Sequence, residues 1–270
     1  MLEDLTPDDR NVPLEAIGVG LAAQLSPDGR TVLNSPNLGW RDERFAERLE
    51  EALKEQFGRT PVTLVNDLNA LMWGEYFAGA IRDVDDALAV YVGTGVGGAL
   101  LVDGALVVGA GGVAGEIGHS KVKPGGRLCG CGELGCVEAY AGGIHLERQI
   151  AQLGEDAAVP EAVIDDPDSG DVDLAAADRL SQDNEPIAEI WQTATDYLAL
   201  VVANACTLLN PSVLLVGGGV VENCTHFRER FLAKTTPLVL EVARDELEIR
   251  QPELGDEAGM LGAARLAAIG

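Results

Sequence analysis

Four residues in the middle of the chain have the types and the spacing of a metal site. His119, Cys129, Cys131 and Cys136 follow one another at steps of 10, 2 and 5 residues. One imidazole and three thiolates at this spacing can surround a zinc ion tetrahedrally, which favours a ligand role for His119 over that of an ordinary core histidine. Because four protein ligands leave no open position, we expect a structural zinc that braces residues 115–138 and not a Lewis acid.

Two carboxylates flank this predicted metal loop. Glu116 lies three residues before His119, and Glu138 lies two residues after Cys136. Exposed glutamates usually have no specific role, but a rigid loop would hold both side chains in fixed directions. Together with the histidine nitrogen that does not bind zinc, they suit the adjacent hydroxyls of a sugar. A glycosidase could also use paired carboxylates, but it would leave the glycine-rich segments of the chain unexplained.

A third acidic residue, Asp67, stands between a predicted strand and a predicted helix. Its ordinary role at that place is the helix N-cap. The end of a parallel strand is also where catalytic groups are found, and Asp67 could accept a proton from an alcohol while Asn66 holds another hydroxyl. The two roles are compatible, and the residues alone do not choose between them.

Two glycine-rich segments have the composition of nucleotide-binding loops. Residues 93–98 contain a GxGxxG pattern, but an apolar strand and an Asp-Gly turn follow it, where a dinucleotide fingerprint needs a helix. We expect instead a hairpin that faces phosphate oxygens, and residues 217–219 join a strand to a helix whose N-terminus can receive a nucleotide. Structural turns are the alternative for both. The predicted nucleotide contacts are Gly93, Thr94, Gly95, Gly217, Gly218 and Gly219.

Composition restricts the class of protein. The 270 residues are 47% hydrophobic, and 44 acidic against 19 basic residues give a net charge of −25. Such a surface repels nucleic acid and anionic membranes, and it is typical of proteins kept soluble at high salt. Three of the five cysteines lie within eight residues, which favours metal thiolates over disulfides. We therefore expect a halophilic, cytoplasmic protein that binds neither DNA nor a membrane.

Alternating strand and helix patterns predict an α/β protein with parallel strands. Strands are predicted over residues 16–25, 61–65, 87–108 (a hairpin), 213–216 and 247–250. Helices are predicted over residues 42–57, 68–80, 144–153, 174–180, 186–209, 221–234 and 259–269. The acidic segment 154–173, which contains Pro and Gly, is predicted to be a flexible surface insertion.

Six motifs together resemble the ROK family (repressors, open reading frames, sugar kinases), especially its bacterial glucokinases. They occur in the order of that family over nearly the whole chain, and the cysteine-rich loop is highly specific for it. The motifs are Val65-Asn-Asp67, Ser35-Pro-Asn37-Leu38, Gly93-Thr-Gly95, Val216-Gly-Gly-Gly219, Ala114-Gly-Glu-Ile-Gly-His119 and Cys129-Gly-Cys131-Gly-Glu-Leu-Gly-Cys136-Val-Glu138.

The resemblance implies an actin-like ATPase fold of the ribonuclease-H-like type. Residues 1–70 and 258–270 would form a smaller α/β lobe, and residues 71–257 a larger one that carries the zinc loop. Asp67 would take the proton from the 6-hydroxyl of a hexose, which then attacks the γ-phosphoryl group of ATP with Mg²⁺. Glucose is the expected hexose, with N-acetylmannosamine, N-acetylglucosamine and fructose as alternatives, and homodimers are common in the family. The implied sugar contacts are Asn37, Asn66, Asp67, Glu116, His119 and Glu138.

The chain departs from the family pattern at two places. Members usually start with a strand carrying Asp-Ile-Gly-Gly-Thr, whose loop contacts phosphate and whose Asp helps to organise magnesium, and no such segment precedes residue 16. We expect a truncated smaller lobe, from a start codon assigned too late or from a natural truncation that leaves a non-catalytic, sugar-binding pseudokinase. Ala22-Ala23-Gln24 replaces a common Pro-Gly-Pro turn near the sugar. A repressor, the remaining alternative, would carry a winged helix-turn-helix and bind DNA.

Overall fold

The computed structural model describes residues 14–35, 37–153, 163–166 and 171–269, which form a mixed α/β structure. The strands are β1 (Ile17–Leu21), β2 (Gln24–Leu25), β3 (Val32–Ser35), β4 (Trp40–Glu43), β5 (Val62–Asn66), β6 (Ala87–Val92), β7 (Val96–Val102), β8 (Ala105–Leu106), β9 (Ile164–Asp166), β10 (Asp171–Val172), β11 (Val213–Gly217) and β12 (Glu248–Arg250). The helices are α1 (Phe45–Phe57), α2 (Asp67–Ala78), α3 (Glu138–Ala141), α4 (Gly143–Ala151), α5 (Leu174–Leu180), α6 (Glu185–Leu209), α7 (Gly219–Asn223), α8 (Thr225–Leu238), α9 (Glu241–Asp245) and α10 (Glu257–Ile269).

The chain divides into two compact units. Unit 1 comprises Met1–Asp83, Val108–Ala114 and Glu253–Gly270, and unit 2 comprises Val84–Val107 and Gly115–Pro252. The sequence-based division after residue 70 would cut α2, whereas the contacts keep this helix whole in unit 1 because it packs on α10 and β5. Residues 108–114 also belong to unit 1, where Gly112 lies against the carbonyl oxygen of Leu25.

Unit 1 is organised around a parallel strand pair and two helices in close contact. Strand β1 pairs with β5, β2, β3 and β4 form a small antiparallel sheet, and α2 packs against α10. Three glycines let two backbone segments approach each other closely. A Cβ added to Gly18 would lie 1.9 Å from the carbonyl oxygen of Ala263, and one added to Gly74 would lie 2.1 Å from that of Ala258. A Cβ added to Gly262 would lie 1.8 Å from the carbonyl oxygen of Ala70. Since real Cβ atoms do not come so close, only glycine fits at these crossings.

Unit 2 is built on a five-stranded sheet in the order β12-β11-β6-β7-β8. Strand β11 runs parallel to β6 and β12, while β6, β7 and β8 are antiparallel. The apolar runs of β6 and β11 are buried against the long helix α6, with Trp191 and Leu198 in the core. This sheet fixes both the hairpin between β6 and β7 and the glycine turn after β11.

Most predicted elements are confirmed within a few residues, and three differ. The strand over 16–25 is two strands, and the helix over 42–57 starts only at Phe45 because Trp40–Glu43 pair with β3. The helix over 221–234 is broken into α7 and α8. The predicted insertion over 154–173 lies largely outside the described residues, although β9 and β10 within it form an antiparallel pair. No helix in the described ranges is long and apolar enough to cross a bilayer.

The break before α8 is held by a buried carboxylate. Asp178 is 2% exposed and accepts the indole N–H of Trp191 at 2.6 Å and the backbone N–H groups of His226 and Phe227 at 2.8 Å. Those two N–H groups belong to the first turn of α8, which has no helical partner for them. Asp178 therefore starts a new helix where the sequence suggests a continuous one.

We expect Asp178→Ala to lower the free energy of unfolding by about 3 kcal/mol, because three donors lose a charged acceptor. Urea unfolding followed by tryptophan fluorescence measures the change. The exposed Asp183, replaced by alanine in the same way, is the matched control and should change stability by less than about 0.5 kcal/mol. An equal effect of the two substitutions would contradict a structural role for Asp178.

Candidate functional site

The predicted metal ligands come together in unit 2. The ligand atoms of His119, Cys129, Cys131 and Cys136 all lie within 4.8 Å of one another. Nδ1 of His119 is 3.6 Å from Sγ of Cys129, and the sulfurs of Cys131 and Cys136 are 3.7 Å apart. Tetrahedral zinc at ordinary bond lengths requires edges of about 3.5 Å for sulfur to nitrogen and about 3.8 Å for sulfur to sulfur. The donor set and its dimensions therefore fit a structural zinc ion.

The loop that carries these ligands is shaped by tight turns. A short 3-10 turn, Ile117–His119, orients the histidine, and Gly118 lies so close to the oxygen of Val96 that a Cβ would stand 1.9 Å from it. Backbone bonds from Cys129 to Glu133 (2.8 Å) and from Gly132 to Cys129 (3.0 Å) close the cysteine turn. Gly132 has a φ of 88°, a conformation that other residues rarely adopt. The loop is thus shaped by its backbone as well as by the cysteines.

A lysine lies beside the thiolate cluster. Nζ of Lys121 is 3.0 Å from Sγ of Cys136 and forms an ion pair with Glu133. The Cys136 sulfur first, and Glu133 second, raise the pKa of Lys121 above its ordinary value. Three thiolates around one Zn²⁺ would carry a net negative charge, so the ammonium group beside Cys136 would stabilise a bound zinc ion. Sequence reasoning missed Lys121. A signal was present, because the chain has only four lysines and this one lies two residues after His119, a predicted metal ligand.

The two glutamates that flank the loop have different neighbours. Oε2 of Glu116 lies 3.7 Å from Nε2 of His119, the ring nitrogen that faces away from Cys129. Oε1 of Glu138 lies 3.2 Å from Sγ of Cys129, and its Oε2 accepts the N–H of Val96 at 3.1 Å. Both carboxylates are therefore adjacent to the metal cluster, as the sequence predicts, and Glu138 also contacts the hairpin after β6.

A cavity of about 600 Å³ in unit 2 is bordered by both glycine segments. Gly93 and Thr94 of the hairpin line it, and so does Gly219 at the start of α7. Its volume lies within the range of ligand pockets. Sequence reasoning missed the other residues of its wall because they belong to no motif. Among them are the polar residues Glu147, Asp173 and Asn223 and the apolar residues Ile144, Leu174 and Val220.

The turn after β11 differs from a simple anion site. A Cβ at Gly218, which has a φ of 95°, would lie 2.6 Å from the oxygen of Val92, and a Cβ at Gly217 would lie 2.7 Å from the ring of Pro252. The N–H of Gly218 donates to Oε1 of Glu222 at 3.1 Å. Close packing thus requires the first two glycines, and a carboxylate already occupies this end of α7, which has only five residues.

Three predicted sugar contacts belong to unit 1. Asn66 and Asp67 follow one another at the junction of β5 and α2, and the exposed Asn37 lies in the turn between β3 and β4. The N-cap of α2 is Asn66, whose Oδ1 accepts the N–H groups of Leu68 and Asn69 at 3.1 Å. The cap assigned to Asp67 is therefore shifted by one residue, because residue 66 has the non-helical backbone that a cap needs.

Asp67 is the first residue of α2, and its side chain is partly buried. Oδ1 accepts the N–H of Leu68 at 2.9 Å. Desolvation by burial raises the pKa of Asp67 above its ordinary value, although the N–H bond of Leu68 acts in the opposite direction. A carboxylate with a raised pKa is a better proton acceptor than an ordinary aspartate, which suits a general base.

The fold is that of the actin-like ATPases, as comparison with solved structures shows. A glucokinase of the ROK family from Streptomyces griseus, in complex with glucose and AMPPNP, matches with a TM-score of 0.79 and 32% identity over 95% of this chain and 82% of its own. A model of the ROK family matches residues 5–269. The chain belongs to the ROK family, and its place in that family is among the kinases.

Curated relatives include kinases of more than one sugar. A glucokinase of Streptomyces coelicolor is 30% identical over 265 residues, which are 93% of this chain and 80% of the relative. An N-acetylmannosamine kinase of Escherichia fergusonii is 33% identical over 221 residues, which are 79% of this chain and 67% of the relative. The comparisons therefore agree on a sugar kinase and leave the sugar open.

Proposed function

We propose that this protein transfers the γ-phosphoryl group of MgATP to the 6-hydroxyl of a hexose, with glucose as the first candidate. The observation that carries the proposal lies within unit 2: the hairpin whose Gly93 and Thr94 line a cavity of about 600 Å³ also contacts Glu138 of the metal-type loop. The similarity to glucokinases supports the same reaction. N-acetylmannosamine is the alternative acceptor, because a relative of similar identity is named for it.

In this proposal Asp67 is the general base. Its raised pKa gives it an appreciable affinity for a proton, and the N–H of Leu68 holds one oxygen in place. Phosphoryl transfer depends mainly on positioning and charge neutralisation, so the base has only to orient the hydroxyl and accept its proton. The other sugar hydroxyls are assigned to Asn37, Asn66, Glu116, His119 and Glu138.

We assign the phosphates of the nucleotide to the hairpin after β6. The N–H of Gly93 donates to the oxygen of Gly95 and that of Val96 to Glu138. For the N–H groups of Thr94 and Gly95, the described part of the chain supplies no acceptor, so these two can donate to phosphate oxygens. The N–H of Gly218, next to the cavity-lining Gly219, already donates to the carboxylate of Glu222, which disfavours an anion at this end of α7. We therefore assign this side of the cavity to the ribose and the base.

The metal site has a supporting role in this scheme. His119 and the three cysteines would hold zinc, which supplies rigidity to the loop that carries Glu116 and Glu138. Nε2 of His119 lies on the side away from the sulfur of Cys129 and can donate to or accept from a hydroxyl. Mg²⁺ would accompany ATP and neutralise phosphate charge.

A panel of hexoses tests the proposal directly. ADP release should be stimulated by glucose in molar KCl, which screens the charge of −25, and kcat/KM should rank glucose above N-acetylmannosamine, N-acetylglucosamine and fructose. A higher value for N-acetylmannosamine would assign the alternative acceptor. Calorimetric binding of a hexose without ADP release would indicate a sugar-binding protein, and the absence of both would refute the proposal.

A further inference from the structure

We propose that Glu138 is a positioning residue for the nucleotide, because it ties the metal loop to the hairpin that is assigned to the phosphates. The metal loop then sets nucleotide affinity even when no hexose is present. This inference rests on the proposed function, since it requires that the cavity in unit 2 binds a nucleotide. It adds to the hexose contact that the sequence predicts for Glu138.

The carboxylate of Glu138 touches both partners. Oε2 accepts the N–H of Val96 at 3.1 Å, and Oε1 lies 3.2 Å from Sγ of Cys129. A Cβ on Gly95 would lie 2.5 Å from Oε2, so a larger residue at this position would displace the carboxylate of Glu138. Because Glu138 comes only two residues after Cys136, its bond from Val96 joins the metal loop to the residue that follows the hairpin tip.

The segment after Glu138 makes two further bonds to the same hairpin. The N–H of Gly143 donates to the oxygen of Gly93 at 2.8 Å, and the N–H of Ile144 donates to the oxygen of Thr94 at 3.1 Å. The N–H of Gly142 donates to the carbonyl oxygen of Glu138 and so completes the single turn of α3. The segment from Glu138 to Ile144 is therefore one short rigid unit of backbone, and it starts two residues after Cys136. A displacement of the metal loop must therefore displace the hairpin.

Glu116 provides a comparison within the same loop. It has the same predicted role toward the hexose, but its carboxylate lies beside the ring of His119, with Oε2 3.7 Å from Nε2. If the two glutamates act only on the hexose, their removal should have equal consequences. If Glu138 also positions the hairpin, only the removal of Glu138 should weaken nucleotide binding.

The experiment measures the Kd of MgADP by isothermal titration calorimetry without hexose. Glu138→Ala should weaken binding about tenfold, the effect of one lost hydrogen bond to a charged acceptor, while Glu116→Ala should leave it within twofold (about 0.4 kcal/mol). Glu138→Gln should bind almost as the original protein does, because the amide oxygen can accept from Val96 and the amide N–H can donate to the sulfur of Cys129. Hexose binding should fall in all three variants.

A second variant and metal removal complete the test. Gly95→Ala should weaken MgADP binding to a similar extent, because the new Cβ displaces the carboxylate of Glu138 although residue 138 itself is unchanged. Chelation of zinc should raise the Kd of MgADP about tenfold in the original protein and by less than twofold in Glu138→Ala. Unchanged MgADP binding in Glu138→Ala, or an equal loss in Glu116→Ala, would overturn the positioning role. Failure of the original protein to bind MgADP would refute the proposed function itself.

Discussion

Replacement of Asp67 by asparagine is expected to lower kcat by about two to four orders of magnitude, the usual contribution of a general base. Asparagine keeps the size of the side chain and an oxygen that can accept the N–H of Leu68, but it cannot take up a proton. A coupled assay of ADP release at saturating hexose and MgATP measures the loss. Retention of more than half of the activity would exclude Asp67 as the base.

A matched control comes from Asp42, an exposed aspartate of unit 1 with a φ of 51°. Asparagine is well tolerated at positive φ, so Asp42→Asn changes the charge in the same way without backbone strain. Its kcat should stay within about twofold of the original value, because exposed substitutions away from a site rarely matter. The comparison separates the loss of a base from the loss of one negative charge.

The pKa of Asp67 gives the pH dependence a definite sign. Burial raises it, so the folded protein holds this proton more tightly than the unfolded chain does. The base works only when ionised, and kcat/KM should therefore fall on the acid side at a pH above the ordinary range for aspartate. By linkage, the stability contributed by this group is present at low pH and is lost as the pH rises through the folded pKa. Asp67→Asn should thus be at least as stable as the original protein at neutral pH.

Replacement of Cys131 by serine should abolish stoichiometric zinc. About one zinc per chain is expected in the original protein. Removal of one of the four ligands should lower the affinity for zinc by more than about 100-fold, which exceeds the loss caused by changing a residue that only contacts a ligand. Cys131 is the exposed cysteine of the cluster, so the change disturbs little packing. The Kd for hexose should rise together with the loss of metal, because Glu116 and Glu138 lose their support. Elemental analysis and calorimetry on the same preparation measure both effects.

The control for this variant is a cysteine outside the cluster. Cys206 is buried in α6, far in sequence from the metal loop, and its replacement by alanine should leave zinc content unchanged. Full hexose affinity in Cys131→Ser without zinc would show that the metal does not support the sugar contacts. Full zinc content in that variant would show that the ligand set is different.

The metal loop and the hairpin could be predicted from sequence because both depend on local patterns. The four ligands are close together in the chain, and an Asp-Gly turn after a glycine-rich strand distinguishes a hairpin from a dinucleotide fold. In the structure, the four predicted ligand residues lie in one cluster, and β6 and β7 are antiparallel neighbours.

The parts that could not be predicted depend on distant residues. Whether Gly218 receives an anion or packs closely is decided by the oxygen of Val92 and the carboxylate of Glu222, and neither is visible in the pattern of strand, glycines and helix. The break before α8 depends on Asp178, which is far from it in sequence. Asn66 and Asp67 are both good caps, and only the backbone angles select Asn66.

The glycine crossings of unit 1 have a consequence for the order in which the protein is made. Helix α2 leaves the ribosome long before its packing partner α10, because the residues of unit 2 lie between them in the sequence. The two helices meet at Gly74 and Gly262 with no space for any side chain. Unit 2 is encoded entirely between them and can complete its sheet first. During synthesis, the surface of α2 that packs on α10 must therefore stay uncovered until residues 257–269 have been made.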